Sequence, residues 1–283
     1  MHVWRGVFEL DGRGEVNRWE CGSAHGIVVR MFGDRLAEGV AVPVEGWDFS
    51  WFDGRATEQR PSWGYARLLA DRAASAKALL DVQTGGGEVL ASVPLLPPVV
   101  AATESWEPNL AIARRNLSGT VAHVADDADL PFPDGHFDLV VSRHPVATRW
   151  DEIARVLAPG GRYLAQHVGS GSVRELTEFM MGPLTGGRRE RDPLTTHSGV
   201  DVVGLVTAAE RAGLNVIDMR HEALRMEFFD VAAVVVFLRK VIWTVPGFTV
   251  EAYRDRLEIL DDFIERHGPF VAHSQRILIE ALR

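Results

Sequence analysis

The chain has 283 residues, 46% of them hydrophobic and 24% charged, with a formal net charge of −9 at pH 7. This composition predicts a well-filled globular core and argues against a broad nucleic-acid-binding surface, because neutralising phosphates requires clustered Lys and Arg. The single cysteine, Cys21, excludes an internal disulfide and a thiolate-rich metal site, as is typical of the reducing cytosol. No apolar run approaches the roughly 18 residues of a membrane span, and no secretory signal pattern opens the chain. We therefore expect a cytoplasmic protein that has no membrane partner.

Residues 1 to about 45 are predicted to form an N-terminal extension to one large domain at residues 46–283. The extension has weak periodicity, and its turn-prone run at residues 11–14 is flanked by apolar residues. A short hairpin and a poorly ordered terminus are both compatible with this pattern. The domain begins with an aromatic-rich stretch at residues 47–52, after which Pro61 is placed to start a helix over residues 61–76.

Strands and helices then alternate along the chain. Short apolar runs separated by helical segments of about ten residues are the signature of a parallel sheet with right-handed crossovers. The predicted strands cover residues 78–82, 98–103, 121–124, 137–142 and 161–168. The predicted helices between them cover residues 88–93, 108–117 and 149–157.

The C-terminal part departs from this alternation. A helix at residues 200–212 leads to a strand at 214–221, and the final strand is predicted at 271–281. Between these two strands lies a helical insert at about residues 230–267, broken by Pro246 and Gly247. We expect the last strand to run antiparallel. The fold class is therefore α/β, a doubly wound, mostly parallel sheet of seven strands.

A glycine-rich turn at residues 85–87 follows the first buried strand and precedes a helix, which lets a ligand approach the backbone closely. Asp81 ends the strand and Glu88 follows the glycines directly. Carboxylates at this place repel the pyrophosphate of a dinucleotide, and position 90, where its fingerprint has a third glycine, is Leu. The pattern disfavours NAD and suits a ligand that carries a cationic amino group and a sulfonium.

Two further acidic positions follow the next strands. Glu104 closes the second strand, where a carboxylate can accept hydrogen bonds from two ribose hydroxyls or cap the next helix. Asp127, followed by the small Ala128, can accept from an adenine amino group while a backbone amide reaches a ring nitrogen. For Asp126, Asp129 and Asp134, which flank this pair, a solvated loop is the favoured interpretation.

Taken together, these segments resemble the class I S-adenosylmethionine-dependent methyltransferases, particularly the branch that includes the ubiquinone and menaquinone C-methyltransferases. The matching segments are residues 79–87, Glu104, Asp127 with Ala128, residues 130–132 with 137–140, and residues 155–161. They span about residues 60–170, in the order and spacing of the family. The resemblance implies a Rossmann-like fold and an S-adenosyl-L-methionine site at Asp81, Gln83, Thr84, Gly85, Gly87, Glu104, Ser105, Asp127, Ala128 and Ser142.

Within that site, the resemblance assigns the methionine part to Asp81, Gly85 and Gly87, the ribose to Glu104, and the adenine to Asp127 with Ala128. One residue departs from the family pattern. Gln83 stands where the family usually has the first glycine of the loop. Its side chain is expected either to crowd the methionine moiety or to contact it through the amide.

The fourth strand ends in Ser142, Arg143, His144 and Pro145, where family members place residues near the transferred methyl. His144 is the candidate general base, and the alternative is a loop histidine hydrogen-bonded to backbone. The Asn-Pro-Pro-Tyr tetrapeptide of amino-methylating members is absent. Nucleic-acid bases are therefore less favoured as methyl acceptors. His167 and Gln166 are predicted to face the same cleft.

The function that the sequence predicts is transfer of a methyl group from S-adenosylmethionine to a small-molecule acceptor, with no metal ion. The first alternative is an RNA methyltransferase, for which the basic group at residues 188–191 is the local hint, although a solvated loop explains it better. The second is a non-catalytic S-adenosylmethionine-binding protein, for which Gln83 is the hint. The pattern does not indicate an oligomeric state.

Overall fold

The structure is a computed structural model that describes residues 31–44, 49–124, 127–182 and 200–283. The hairpin predicted at residues 11–14, Cys21, Asp126 and the basic group at residues 188–191 lie outside the described residues. Residues 32–283 form one compact unit.

Nine helices and eight strands make up this unit within the described residues. The strands are β1 Ala56–Glu58, β2 Ala78–Asp81, β3 Val99–Glu104, β4 Thr120–His123, β5 Phe137–Arg143, β6 Leu157–Val168, β7 Asn215–Phe228 and β8 Phe270–Leu282. The helices are α1 Phe32–Ala41, α2 Tyr65–Ala73, α3 Glu88–Ala91, α4 Glu107–Asn116, α5 Trp150–Val156, α6 Arg174–Met181, α7 Val202–Arg211, α8 Val231–Lys240 and α9 Arg254–His267.

The strands form one mixed sheet in the order β1-β7-β8-β6-β5-β2-β3-β4. Strands β4, β3, β2, β5 and β6 run parallel, and β8 is antiparallel to both β6 and β7. The α/β class, the parallel sheet and the antiparallel last strand are confirmed.

The predicted number of seven strands is wrong within the described residues, because β1 adds an eighth. This strand has only three residues and pairs antiparallel with the far end of β7. Strand β7 runs to Phe228, seven residues beyond its predicted end at His221, and stays paired with β8 along that length. Neither feature could be predicted from the local sequence. A three-residue strand is too short to show alternation of apolar and polar residues, and the β7 extension is held by its partner strands.

Helices cover both faces of the sheet, as a doubly wound fold requires. One face packs against α5 and α7 through Ile153, Val156 and Leu205. The other packs against α2, α3 and α4, with Leu69, Leu90 and Leu110 among the buried residues. The site described below lies at the carboxyl edge between these two layers.

A third core cluster surrounds α8, where every residue of the apolar run from 231 to 238 is buried. Helix α1 contributes Leu36 to this cluster, although the sequence assigns residues 32–41 to the N-terminal extension. The two helices approach closely at Gly39, where a Cβ atom would lie 3.0 Å from the Ala232 carbonyl oxygen. Helices α8 and α9 fill the interval between β7 and β8. In the part of the chain that the structure describes, no helix is long and apolar enough to cross a bilayer.

Candidate functional site

The carboxyl ends of β3, β2 and β5 lie side by side in the centre of the sheet. The chain passes from β2 to β3 in one direction and places β5 on the other side of β2, so this edge is a topological switch point. Ligands of open α/β sheets bind in the crevice at such a point. Asp81, Glu104 and Ser142 all lie at or next to these strand ends.

The loop after β2 has the backbone conformation that its glycines suggest. Gly85 and Gly87 have φ angles of 66° and 77°, in the left-handed region that favours glycine. A side chain at Gly87 would also collide with Leu117, since its Cβ atom would lie 2.9 Å from the Leu117 Cγ atom. Asn116 holds the loop by donating from Nδ2 to the Gly86 carbonyl at 2.8 Å.

Asp81 is the buried carboxylate of the site, with 7% of its surface exposed. Its pKa is raised to about 7, chiefly by burial and also by the nearby Glu104, against the opposing effects of a hydrogen bond from Thr84 and the charge of Arg143. The Thr84 hydroxyl donates to Oδ2 at 2.6 Å. A carboxylate that burial makes costly to ionise gains most from a cationic ligand group, and an ammonium is the group that Asp81 suits.

The raised pKa of Asp81 predicts that the stability of the protein falls as the pH rises. Because the folded pKa of about 7 lies above the ordinary 3.8, the folded state binds more protons between these values, and this contribution to stability is lost as the pH rises through 7. Asp81→Asn should therefore reduce the fall in melting temperature between pH 5 and pH 8, measured by scanning calorimetry. Asp71→Asn, at an exposed acid on α2, is the control. An identical fall for wild type and Asp81→Asn would contradict the assignment.

Glu104 accepts three hydrogen bonds from backbone amides. Its Oε1 accepts from the amides of Ser105 and Trp106 at 2.9 and 2.8 Å, and its Oε2 accepts from the Gly85 amide at 2.8 Å. The carboxylate therefore holds the glycine loop and the turn that leads into α4, but it does not cap the helix, because both of these turn amides precede its first residue, Glu107. Oε2 keeps one acceptor lone pair, so a ribose hydroxyl still has a place to donate. The side chain of Ser105 is exposed beside it.

Gln83 spans the cleft. It has a left-handed φ of 58°, and its amide Nε2 donates to Asp127 Oδ2 at 2.6 Å and to the Ala147 carbonyl at 2.7 Å. Its Oε1 accepts from the Val146 amide at 2.6 Å. The side chain thus links the β2 loop to the loop after β5. It also takes up a carboxylate oxygen of Asp127, the acid that the resemblance assigns to adenine. Ala128 is exposed next to it.

The space left in the cleft is small. Its cavity has a volume of about 10 Å³ and is lined by Val82, Asp127, Leu130, Ser142, Pro145, Ala147, Thr148, Arg149, Ile153 and Tyr163. A volume of this size holds about one water molecule. The donor and acceptor groups of the site suit a cationic nucleoside, and in this structure the Gln83 side chain is hydrogen-bonded to Asp127.

A salt-bridge network holds the loop that carries Leu130. Arg155 donates to Glu152 and to Asp134 at 2.6 and 2.8 Å, and also to the carbonyls of Leu130 and Phe132. Glu152 Oε2 in turn accepts from the Leu130 amide at 2.8 Å. Asp134, interpreted from the sequence as a solvated charge, is thus an exposed partner of Arg155.

Ser142 and His144 have structural partners. The buried Ser142 donates from Oγ to the Val82 carbonyl at 2.7 Å, which joins β5 to β2. His144 has a left-handed φ of 58°, and its backbone amide donates to the Gln166 carbonyl at 2.6 Å. Its ring Nε2 lies 2.8 Å from Gln166 Nε2. Burial, followed by the positive charges of Arg143 and Arg276 and by His167, lowers the pKa of the ring well below its usual value.

Of the two residues predicted to face the cleft, Gln166 is the one whose side chain reaches His144. Adjacent residues of a strand point to opposite faces, so His167 lies on the other face of β6. His167 is 2% exposed, and its Nε2 has no hydrogen-bond partner among the described residues. Burial lowers its pKa to about 4, so the ring is neutral at pH 7.

Trp63 and Arg143 also lie near these strand ends. Trp63 Nε1 donates to Gln166 Oε1 at 2.9 Å, and this contact joins residues 103 positions apart, so no local sequence pattern indicates it. Arg143 ends β5, and its position at the carboxyl end of a central strand is the signal that points to it.

Comparisons with known proteins agree with this geometry. A family model described as "Methyltransferase domain" matches residues 80–165, which include β2, β3, β5 and the glycine loop. The chain is 37% identical over 109 residues to a demethylmenaquinone methyltransferase from Clavibacter sepedonicus, which covers 35% of this chain and 44% of the relative. A demethylmenaquinone methyltransferase from Thermus thermophilus is 38% identical over 98 residues, covering 30% and 44%. The chain thus spans less than half of the length of these curated relatives.

Solved structures share the fold. The YcgJ protein from Bacillus subtilis aligns with a TM-score of 0.54 at 16% identity, covering 77% of this chain and 97% of that one. A candidate methyltransferase from Bacillus halodurans aligns with a TM-score of 0.52 at 20% identity and the same coverage. At such identities the likeness concerns the fold alone. Residues 80–165 of the chain thus match the methyltransferase domain family, and the described residues share the Rossmann-like fold of these solved structures.

Proposed function

We propose that this protein transfers a methyl group from S-adenosylmethionine to a small-molecule acceptor in the cytoplasm. The observation that carries the proposal is the convergence of Asp81, Glu104 and Asp127 around a left-handed glycine loop at one edge of the sheet. Three carboxylates suit a ligand with an ammonium, ribose hydroxyls and an adenine amino group, and they repel a pyrophosphate. The matched methyltransferase domain covers this edge.

Each part of the cofactor has a place in the proposal. Asp81 holds the ammonium of the methionine part, with Thr84 orienting the carboxylate. The left-handed turns at Gly85 and Gly87 keep side chains away from the ligand. Glu104 accepts from the ribose through its remaining lone pair. The bound cofactor supplies a methyl group activated by a positively charged sulfur.

Binding of the adenine part of the cofactor requires the Gln83 side chain to move. Asp127 accepts from the adenine amino group and Ala128 lies beside the ring, once Gln83 has released the Asp127 carboxylate. Ser142 stabilises the base of the cleft, because its hydroxyl joins the ends of β5 and β2. Positioning of the acceptor against the methyl group, with water excluded, then supplies much of the rate enhancement.

A small molecule is favoured over RNA as the acceptor. The net charge of −9 opposes a phosphate backbone, and both curated relatives carry the name of a quinone methyltransferase. A non-catalytic cofactor-binding protein is the remaining alternative, because Gln83 closes the cleft.

A labelling experiment separates these functions. The protein is incubated with S-adenosylmethionine carrying a tritiated methyl group and with a cell extract divided into small-molecule and RNA fractions. We expect label in the small-molecule fraction, and much less with the Glu104→Gln variant. Label in the RNA fraction would favour the RNA methyltransferase, whereas cofactor binding without label in either fraction would favour the non-catalytic protein.

A further inference from the structure

A buried hydroxyl group beside the cleft has no hydrogen-bond partner. Tyr163 lies in the middle of β6 with none of its surface exposed, and its Oη atom makes no hydrogen bond with any residue that the structure describes. Burial raises the pKa of the phenol well above its usual value, and the nearby Thr148 hydroxyl lowers it only in part, without reaching the geometry of a hydrogen bond. A buried donor that lacks an acceptor costs free energy, so its presence in the core requires a reason.

Packing accounts for the ring of Tyr163 but not for its hydroxyl. The ring belongs to the core cluster that α5 and α7 cover, and the Trp150 ring packs edge-on against it, with the two centroids 5.4 Å apart. A phenylalanine would make the same ring contacts, and Phe137 on the neighbouring strand β5 belongs to the same cluster. The hydroxyl is therefore not needed to fill the core.

The side chain of Tyr163 borders the small cavity of the cleft. Asp127, Ser142 and Thr148 line the same cavity, so this end of the core is polar. Besides burial, the Asp127 carboxylate raises the pKa of Tyr163, as expected for two groups that share one cavity. With a raised pKa, Tyr163 keeps its proton at neutral pH and acts as a donor. A hydrogen-bond donor and a carboxylate acceptor thus border one cavity.

The Gln83 amide lies over this pair of groups. Its Nε2 donates to Asp127 and to the Ala147 carbonyl, and both of these residues line the cavity. Its Oε1 accepts from the Val146 amide at 2.6 Å. A primary amide presents a donor and an acceptor on one planar edge, as adenine does with its amino group and the ring nitrogens N1 and N7 on either side. The place is therefore occupied by a group with the hydrogen-bonding pattern of adenine.

We propose that, once the Gln83 side chain has moved, the Tyr163 hydroxyl donates a hydrogen bond to N1 or N7 of the cofactor's adenine, next to the amino group that Asp127 accepts. The inference rests on the proposed function and adds Tyr163 to the residues that hold the base. The cofactor then supplies the acceptor that the described residues do not. The free energy lost by burying an unpartnered hydroxyl during folding is offset when the cofactor binds.

Tyr163→Phe tests the proposal, because it removes only the oxygen atom. Loss of an unpartnered buried hydroxyl should leave the melting temperature unchanged or raise it. Calorimetry should show S-adenosylhomocysteine binding about two- to tenfold more weakly than to wild type, which is the range of one neutral hydrogen bond. A lower melting temperature, or an unchanged affinity, would overturn the proposal, since the hydroxyl would then act within the protein or not at all.

Thr148→Val is the matched control, because it removes the hydroxyl nearest in effect to the phenol and keeps the shape of the side chain. We expect this variant to bind S-adenosylhomocysteine as tightly as wild type does. If it weakened binding as much as Tyr163→Phe does, the two hydroxyls would act as one structural pair, and the proposal would be wrong.

Analogues of S-adenosylhomocysteine identify the nitrogen that accepts. The 1-deaza and 7-deaza analogues each lack one of the two candidate nitrogens. With one of them, wild type and Tyr163→Phe should bind equally, because the bond is already absent; an undiminished effect of Tyr163→Phe with both analogues would contradict the proposal. Failure of wild type to bind S-adenosylhomocysteine would refute the proposed function, whereas normal binding that Tyr163→Phe does not change would refute only the role of Tyr163.

Discussion

Replacing Gln83 by glycine is expected to tighten S-adenosylmethionine binding by roughly tenfold or more, which corresponds to about 1.4 kcal/mol or more. The Gln83 amide makes three hydrogen bonds across the cleft, one of them to the Asp127 carboxylate. Each neutral bond is worth about 0.5–1.5 kcal/mol and the charged one about 1.5–3, and the cofactor must break them to reach Asp127. Glycine has no such bonds and adopts a φ of 58° without strain.

Calorimetry on wild type, Gln83→Gly and Gln83→Ala separates the contributions. Alanine removes the amide but keeps the Cβ atom in the left-handed region, so an intermediate affinity is expected. Weaker binding by Gln83→Gly than by wild type would show the opposite role, in which the amide holds Asp127 and the 146–147 loop in the geometry that the cofactor needs.

The second large effect is expected at Glu104. Glu104→Ala leaves the amides of Gly85, Ser105 and Trp106 without their acceptor. A hydrogen bond to a charged group is worth about 1.5–3 kcal/mol, and the amides of the exposed residues Ser105 and Trp106 can bond to water instead, so we expect a loss of stability of about 1.5–3 kcal/mol. The melting temperature should fall by about 3 °C or more, since 1 kcal/mol corresponds to about 2–4 °C in a domain of this size.

Glu104→Gln separates the support of these backbone amides from the cofactor site. The amide oxygen can still accept from Ser105 and Trp106, so most of the stability should remain, but the NH2 group cannot accept from a ribose hydroxyl. Cofactor affinity should therefore fall while the melting temperature changes little. Glu107→Ala, in the first turn of α4 with a side chain 70% exposed, is the control. Unchanged affinity in a folded Glu104→Gln protein would show that support of the backbone is the only role of Glu104.

The central strands and their parallel arrangement could be predicted because each buried strand of a parallel sheet has its own apolar run. Those runs end at Asp81, Glu104 and Ser142, and the rule that ligands bind at the carboxyl edge then groups the three side chains. Strand β1 and the end of β7 could not be predicted, since their pairing with each other and with β8 decides their conformation.

The side-chain state of the site could not be predicted either. The amide of Gln83 reaches Asp127 across 44 positions and Ala147 across 64, and the sequence left crowding and contact as open alternatives. For His144 the sequence left two alternatives open, a general base and a loop histidine hydrogen-bonded to the backbone. The structure adds a contact that neither alternative contained, because His144 Nε2 lies 2.8 Å from Gln166 Nε2, and Trp63, in the turn before α2, fixes the orientation of that amide.

Calorimetric titration of the wild-type protein with S-adenosylhomocysteine, and separately with NAD, tests the central claim most directly. The three carboxylates around the glycine loop predict one-to-one binding of S-adenosylhomocysteine and much weaker binding of NAD, because Asp81 and Glu88 repel a pyrophosphate. Tighter binding of NAD, or no binding of S-adenosylhomocysteine to the wild type and to Gln83→Gly alike, would contradict the assignment of this cleft as a methyl-donor site.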